Sequence, residues 1–376
     1  EADELRERHA HWVLESMAAI PLVQRWFGDD RGRVDVDDVR AALEWSSGSP
    51  TLTAALASGI NWMRFDHWRD RRRWCEPLAD AEGLDDRSRL QVLGMLCYLD
   101  VVDLSYERAG YLDRRAKQAL SIAEGIDDPL VPVLWTVRGT LSGALAGQAR
   151  DHELADLSVE WMETGVAMTE AFTLPWQVYC RLLAAAGLTS LLRGDAAVGH
   201  LEAAVALADQ TDGYDALGGS ARGFLSLYRA LDGYVDAGLA LAQSVVGFAN
   251  AVMPWREGPL PSVIALAAAG DVGLARRQLA ACFQDMPTDL PLGIEMVVVF
   301  GAGIAGAVQD WDLTARLLAA SGEGFRRSPW AYLVYLTFRD RARAALGPAR
   351  ARTLRDQGRR IPLQDALKLA LGDTAP

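Results

Sequence analysis

Three glycines, Gly301, Gly303 and Gly306, follow the apolar run Met296–Phe300 in G-x-G-x-x-G spacing, with Glu323 about twenty residues on. Where a strand leads into such a turn, the glycines admit a pyrophosphate to a helix N-terminus and the acid holds a ribose. That chemistry needs a parallel sheet, and no other strand–helix–strand unit is legible in the chain. Glycine and alanine at these positions also suit close helix contacts, and helix packing is the expected role.

The other reactive residue types do not converge. The five histidines, His9, His11, His67, His152 and His200, are scattered, and neither H-E-x-x-H nor G-x-S-x-G occurs. Asp29, Asp30, Asp35, Asp37 and Asp38 form an acidic cluster without the glycine and distal glutamate of a calcium loop. Asp100 and Asp103 stand at helical spacing, as a solvated or capping face would. Cys75, Cys97, Cys180 and Cys282 are far apart and contain no C-x-x-C pair, so they read as buried reduced thiols. Two lysines, Lys117 and Lys368, stand against 36 arginines, and neither follows a glycine, so no G-K-[ST] phosphate loop is present. No catalytic residue, metal or cofactor is therefore expected in this chain, and ATP, if the parent protein uses it, belongs to an upstream domain.

Binding is the chemistry that remains. Twelve tryptophans are present, and Trp45, Trp62, Trp68 and Trp74 cluster early. Trp62, Tyr98, Trp135, Arg138, Trp176, Tyr179, Arg222 and Tyr228 fall on the first helices of successive pairs. First helices line the concave side of a solenoid, where aromatic and arginine side chains anchor a peptide or small ligand. The competing role for the same residues is to fill core between repeats. Arg69–Arg73 reads as an exposed helix start. Eight arginines between Arg339 and Arg360 face only Asp340 and Asp356, a basic patch that reads as a docking surface or a solvated face.

The elements that would carry these residues are helical throughout. At 376 residues, half of them hydrophobic, the chain can bury a large core. No run approaches the ~18 apolar residues of a membrane helix, and a cytoplasmic location is expected. The net charge of −12 argues against direct contact with nucleic acid. Helices are predicted in pairs at about 51–66 with 69–80, 87–106 with 110–124, 130–148 with 151–170, and 175–193 with 195–210. The series continues at about 214–233 with 235–250, 259–269 with 271–285, 291–309 with 312–321, and 329–346 with 348–371. In the pair Leu182–Asp209, Gly194 is expected to supply a positive φ and Asp195 the cap of the next helix, whose apolar stripe is Val198, Leu201, Val205 and Ala208. A period of about 35 to 44 residues points to an all-α, right-handed α-solenoid of tetratricopeptide-like hairpins. Residues 1–48 read as a helical segment linking to an upstream domain, and 49–376 as the repeat domain with C-terminal capping helices. The chain starts at Glu1 in what reads as mid-helix, so a longer parent protein is expected.

Asp35-Val-Asp-Asp-Val-Arg-Ala-Ala-Leu-Glu-Trp45 is similar to the N-L-R-A-A-L-x-W segment that follows the ATPase core of actinobacterial signal-transduction ATPases, with Asp38-Val39 in place of Asn-Leu. Phe65-Asp-His-Trp68 through Arg72-Arg-Trp74 resembles the next family segment. Ala315–Gly324 resembles an A-A-R-L-L-G-A-A-E-A repeat with Ala319 replacing the glycine, and Ala342–Gly347 with Gly358–Leu371 resembles the terminal signature. The resemblance implies the C-terminal repeat region of a LuxR-type or SARP-like STAND ATPase regulator. Nucleotide binding and a DNA-binding or cyclase domain would then lie elsewhere in the polypeptide. The chain itself would be a non-enzymatic sensor arm for transcriptional regulation or signal transduction. It would bind a small effector or a protein or peptide partner on its concave face, with self-association open. The alternative is a stand-alone tetratricopeptide-type interaction scaffold.

Overall fold

The computed structural model describes residues 2–20, 23, 35–46, 48–59, 68–103, 109–211, 214–246, 259–284 and 291–372. Among the described residues all regular structure is helical, and no helix is long and apolar enough to cross a membrane. The chain divides into two compact units, one of residues 1–184 with 207–214, the other of 185–206 with 215–376.

The first unit holds α1 (Ala2–Ala18), α2 (Val36–Ser46), α3 (Pro50–Gly59), α4 (Trp68–Ala79), α5 (Asp86–Asp103), α6 (Ala109–Ile122), α7 (Leu130–Ala149), α8 (His152–Met168) and most of α9 (Leu174–Ser190). Helix α1 packs on α2 and α3, so the N-terminal segment is part of this unit's core, with Val13 and Leu43 fully buried. Beyond it, α3 packs on its partner α4 and on α5, and α5 on its partner α6 and on α7. The tightest pair is α7 with α8. A Cβ at Gly139 would lie 2.5 Å from Met162 Cγ and 2.6 Å from the Ser158 carbonyl, so the two backbones touch where only hydrogen fits.

The second unit repeats the scheme with α10 (Gly194–Ala208, largely in this unit), α11 (Asp215–Leu231), α12 (Val235–Ser244), α13 (Ser262–Ala268), α14 (Val272–Gln284), α15 (Pro291–Ala307), α16 (Trp311–Ala320), α17 (Pro329–Gly358) and α18 (Leu363–Leu371). Here α11 packs on α12 and α13, α13 on α14 and α15, and α15 on α16 and α17. In the pairs led by α3, α5, α11, α13 and α15 the first helix packs on its own partner and on the next first helix, which is how a hairpin with too much apolar surface is completed by its neighbour.

One turn recurs at intervals of about forty residues. Arg150, Leu192, Gly233, Gly270 and Gln309 each take a left-handed φ, between 56° and 92°. The next N–H then reaches five residues back, as in Asp151 to Ala146 O at 3.0 Å and Asp310 to Ala305 O at 2.9 Å. This is the Schellman ending, which satisfies the last carbonyls of the first helix. At three turns the same residue is an aspartate that caps the second helix, accepting from Leu154, Leu274 and Leu313 N–H at 3.0–3.1 Å.

The model hairpin differs from expectation in detail. The left-handed residue is Leu192, not Gly194, which already opens α10. Asp195 sits in the first turn rather than at the cap. The buried stripe is Ala197, His200, Leu201 and Ala204, while Val198 and Val205 are only half-buried. Small residues face inward because they let helices approach closely, which a reading weighted by hydrophobicity underrates.

The fingerprint glycines belong to α15, a helix whose Val297–Phe300 are buried. A Cβ at Gly306 would lie 2.8 Å from Phe338 Cε1, one at Gly303 3.0 Å from Val334 Cγ1, and one at Gly301 2.8 Å from Ala370 Cα. These glycines admit α17 and α18, as the packing role requires. Glu323 pairs with Arg326 at the surface, and the acid beneath the α15 side is Glu295, which accepts the Phe325 N–H at 3.0 Å.

Candidate functional site

The expected concave-face residues separate into three groups. Trp62 lies outside the described residues, and Tyr98 lies on α5 with its side chain outside the description. Trp176, Tyr179 and Tyr228 are core side chains, 3%, 1% and 5% exposed. Tyr228 and Thr189 share a hydrogen bond of 2.8 Å, and the Thr189 hydroxyl donates to Ala185 O at 2.7 Å. Burial pushes the Tyr228 phenol up to about 12, against the Thr189 hydrogen bond. Arg222 is half-buried on α11.

Trp135 and Arg138 are brought together. The Arg138 guanidinium lies 3.6 Å over the Trp161 ring of α8 and 5.9 Å from the Trp135 ring. Its Nε donates to Asp113 Oδ1 at 3.0 Å, and Lys117 Nζ meets Asp113 Oδ2 at 2.7 Å. Burial alone would raise the Asp113 carboxyl, but the Lys117 and Arg138 hydrogen bonds outweigh it and hold it below 3.8. With its guanidinium donating to Asp113 and its face on Trp161, Arg138 joins α6, α7 and α8 as a structural clamp.

Several other reactive groups are likewise engaged. His9 Nε2 meets Asp38 Oδ1 at 3.2 Å, Arg40 pairs with Asp37, and Asp35 accepts the Asp37 N–H. Asp29 and Asp30 lie outside the described residues, among which no group of acids, histidines and cysteines could hold a metal. All four cysteines are buried with no disulfide among the described residues, and burial pushes the Cys180 thiol up to about 12.

The concavity with the strongest chemistry lies in the second unit, where the basic stretch folds back on itself. Pro348 lacks an N–H and drives the preceding residue out of the helical region. Gly347 accordingly takes φ 74° and ψ 162°, a region open essentially to glycine alone, and α17 bends into two arms. The expected boundary between a last pair of helices falls at this elbow. The first arm directs Tyr335, Arg339, Ala342 and Arg343 inward, and the second directs Pro348, Ala351, Arg352 and Arg355. The floor is Ala315, Leu318 and Ala319 of α16, small enough to leave a hollow of about 260 Å³.

Local contacts hold this shape. Arg350 Nη2 meets Asp312 Oδ2 at 2.6 Å, tying the second arm to α16. Gly358 packs so close that a Cβ would lie 2.8 Å from Ala319 Cβ. The Tyr335 ring leans on buried Phe325 at 4.5 Å between centroids. Arg339 donates to Asp340 at 2.8 Å; that bond lowers the Asp340 carboxyl, with Arg343 contributing by charge. Asp312, Asp340 and Asp356 are engaged by Arg350, Arg339 and Arg359 respectively. Arg352 and Arg355 have no ion pair among the described residues. The hollow therefore presents guanidinium forks above an apolar floor, which suits carboxylate or phosphate.

Scanned against models of known protein families and against curated protein sequences, the chain matches none.

Proposed function

We propose that the chain is a non-enzymatic sensor and interaction arm of a transcriptional or signalling regulator. In this reading it is a right-handed array of tetratricopeptide-like hairpins in the cytoplasm, gating an ATPase or output domain carried outside these residues. The observation that carries the reading is the arginine-lined hollow at the elbow of α17, a positively charged concavity on a chain of net charge −12. Its groups are suited to holding an anion, and no nucleophile paired with a base lines it. The recurring Schellman turns and the stacking of first helices support the array, and the buried thiols fit a reducing compartment. An effector would act by binding one state of the parent protein better than another. Thermal unfolding of the purified chain against a panel of anionic and neutral metabolites tests this. An anionic compound should raise the midpoint in a concentration-dependent way, and the absence of any shift across both panels would count against a sensor.

A further inference from the structure

Each arm of α17 brings two guanidinium groups to the hollow, Arg339 and Arg343 from one side of Gly347, Arg352 and Arg355 from the other. We infer that the hollow binds a small molecule with two anionic groups, one taken by each arm, so that the ligand bridges the elbow. The inference rests on the sensor reading and names the chemical class of its effector. Three features select this class. The concavity, about 260 Å³, is at the small end for ligand sites, too small for a drug-sized body. The floor of Ala315, Leu318 and Ala319 and the Tyr335 ring receive a compact carbon skeleton. The nearby carboxylates are each engaged by another arginine or by Arg339, so a net positive charge is left facing inward. The four arginines line one hollow from two arms rather than tracking along a single helix face, which favours a compact dianion over a nucleic-acid backbone.

Because the arms meet at a single residue of special backbone geometry, bridging them restrains the bend directly. Diphosphates and di- or tricarboxylates share the required chemistry, and two probes separate them. Titration calorimetry on the full chain would use pyrophosphate and citrate, with inorganic phosphate as the single-anion control. One of the two probes should bind once per chain, and more tightly than phosphate. Arg352→Gln and Arg355→Gln should each weaken it about tenfold, the loss of one charge-assisted hydrogen-bonding group. Both side chains are exposed, so the variants should keep the wild-type unfolding midpoint; Arg343→Gln on the other arm is the independent check. Failure of both probes to bind would overturn the inference, as would binding that the three variants leave unchanged. A duplex oligonucleotide that binds with the same arginine dependence would overturn it too. If the probes fail but another compound stabilises wild type and variants alike, this site falls while the sensor reading stands.

Discussion

Leu192 is the residue most at odds with its backbone. It holds φ 58° at a position where a side chain is strained, yet it is 60% exposed and gives little packing in return. Leu192→Gly should therefore stabilise the chain by about 0.5–1 kcal/mol, read as a rise in midpoint on urea or thermal unfolding. The sequence pointed to Gly194 here because glycine is the usual left-handed residue; nothing in residue type marks Leu192, Arg150 or Gln309 for that role. Asp113 offers a test of opposite sign. Its folded pKa is depressed, so its contribution is present above the ordinary value of 3.8 and is lost as pH falls through the folded value. Asp113→Asn should cost about 1 kcal/mol at neutral pH, and the gap to wild type should close in strong acid. Equal deficits at both pH values would show that the Lys117 and Arg138 contacts act through something other than charge. The thiols make a simpler case: none of the four should react with a thiol reagent until the chain unfolds, since all are buried.

Among the elements, α15 and α17 carry the most information. Gly306→Ala would press a Cβ into the Phe338 ring and should cost about 1–3 kcal/mol, measured by denaturant unfolding. The same glycine spacing that mimics a dinucleotide loop is what lets α17 and α18 close on α15. Most helix positions were legible beforehand, because apolar periodicity and capping aspartates are local signals, and Asp151, Asp271 and Asp310 mark their turns directly; the expected helix 348–371, however, is two, ending at Gly358 and resuming at Leu363, before which Pro362 stands. Which face of a helix is buried was less legible. In α10 the core takes Ala197 and Ala204 ahead of Val198 and Val205, a choice made by the spacing of neighbours. The aromatic anchors failed to separate for a related reason: Trp176 and Tyr228 have the side chains of a binding groove and the positions of a core. The elbow was visible only as a helix boundary at Gly347-Pro348, since a proline signals a break and not the direction of the bend.

At the scale of the molecule, helical hairpins pack on their neighbours within each unit, and in the second the last long helix bends at Gly347 to line the hollow proposed as an anion receptor. The basic stretch from Arg339 to Arg360 was apparent in the sequence, but the hollow that four of its arginines line was not. That hollow depends on the bend, on two alanines of α16 and on the grip of Arg350 on Asp312. The most direct measurement is hydrogen exchange over the full chain with and without saturating pyrophosphate or citrate. Protection should rise in the peptides covering Ala315–Ala319 and Tyr335–Arg355, with the Asp113–Arg138–Trp161 cluster unchanged. Protection confined to the first unit, or no change around Gly347 while ligand is bound, would contradict the account.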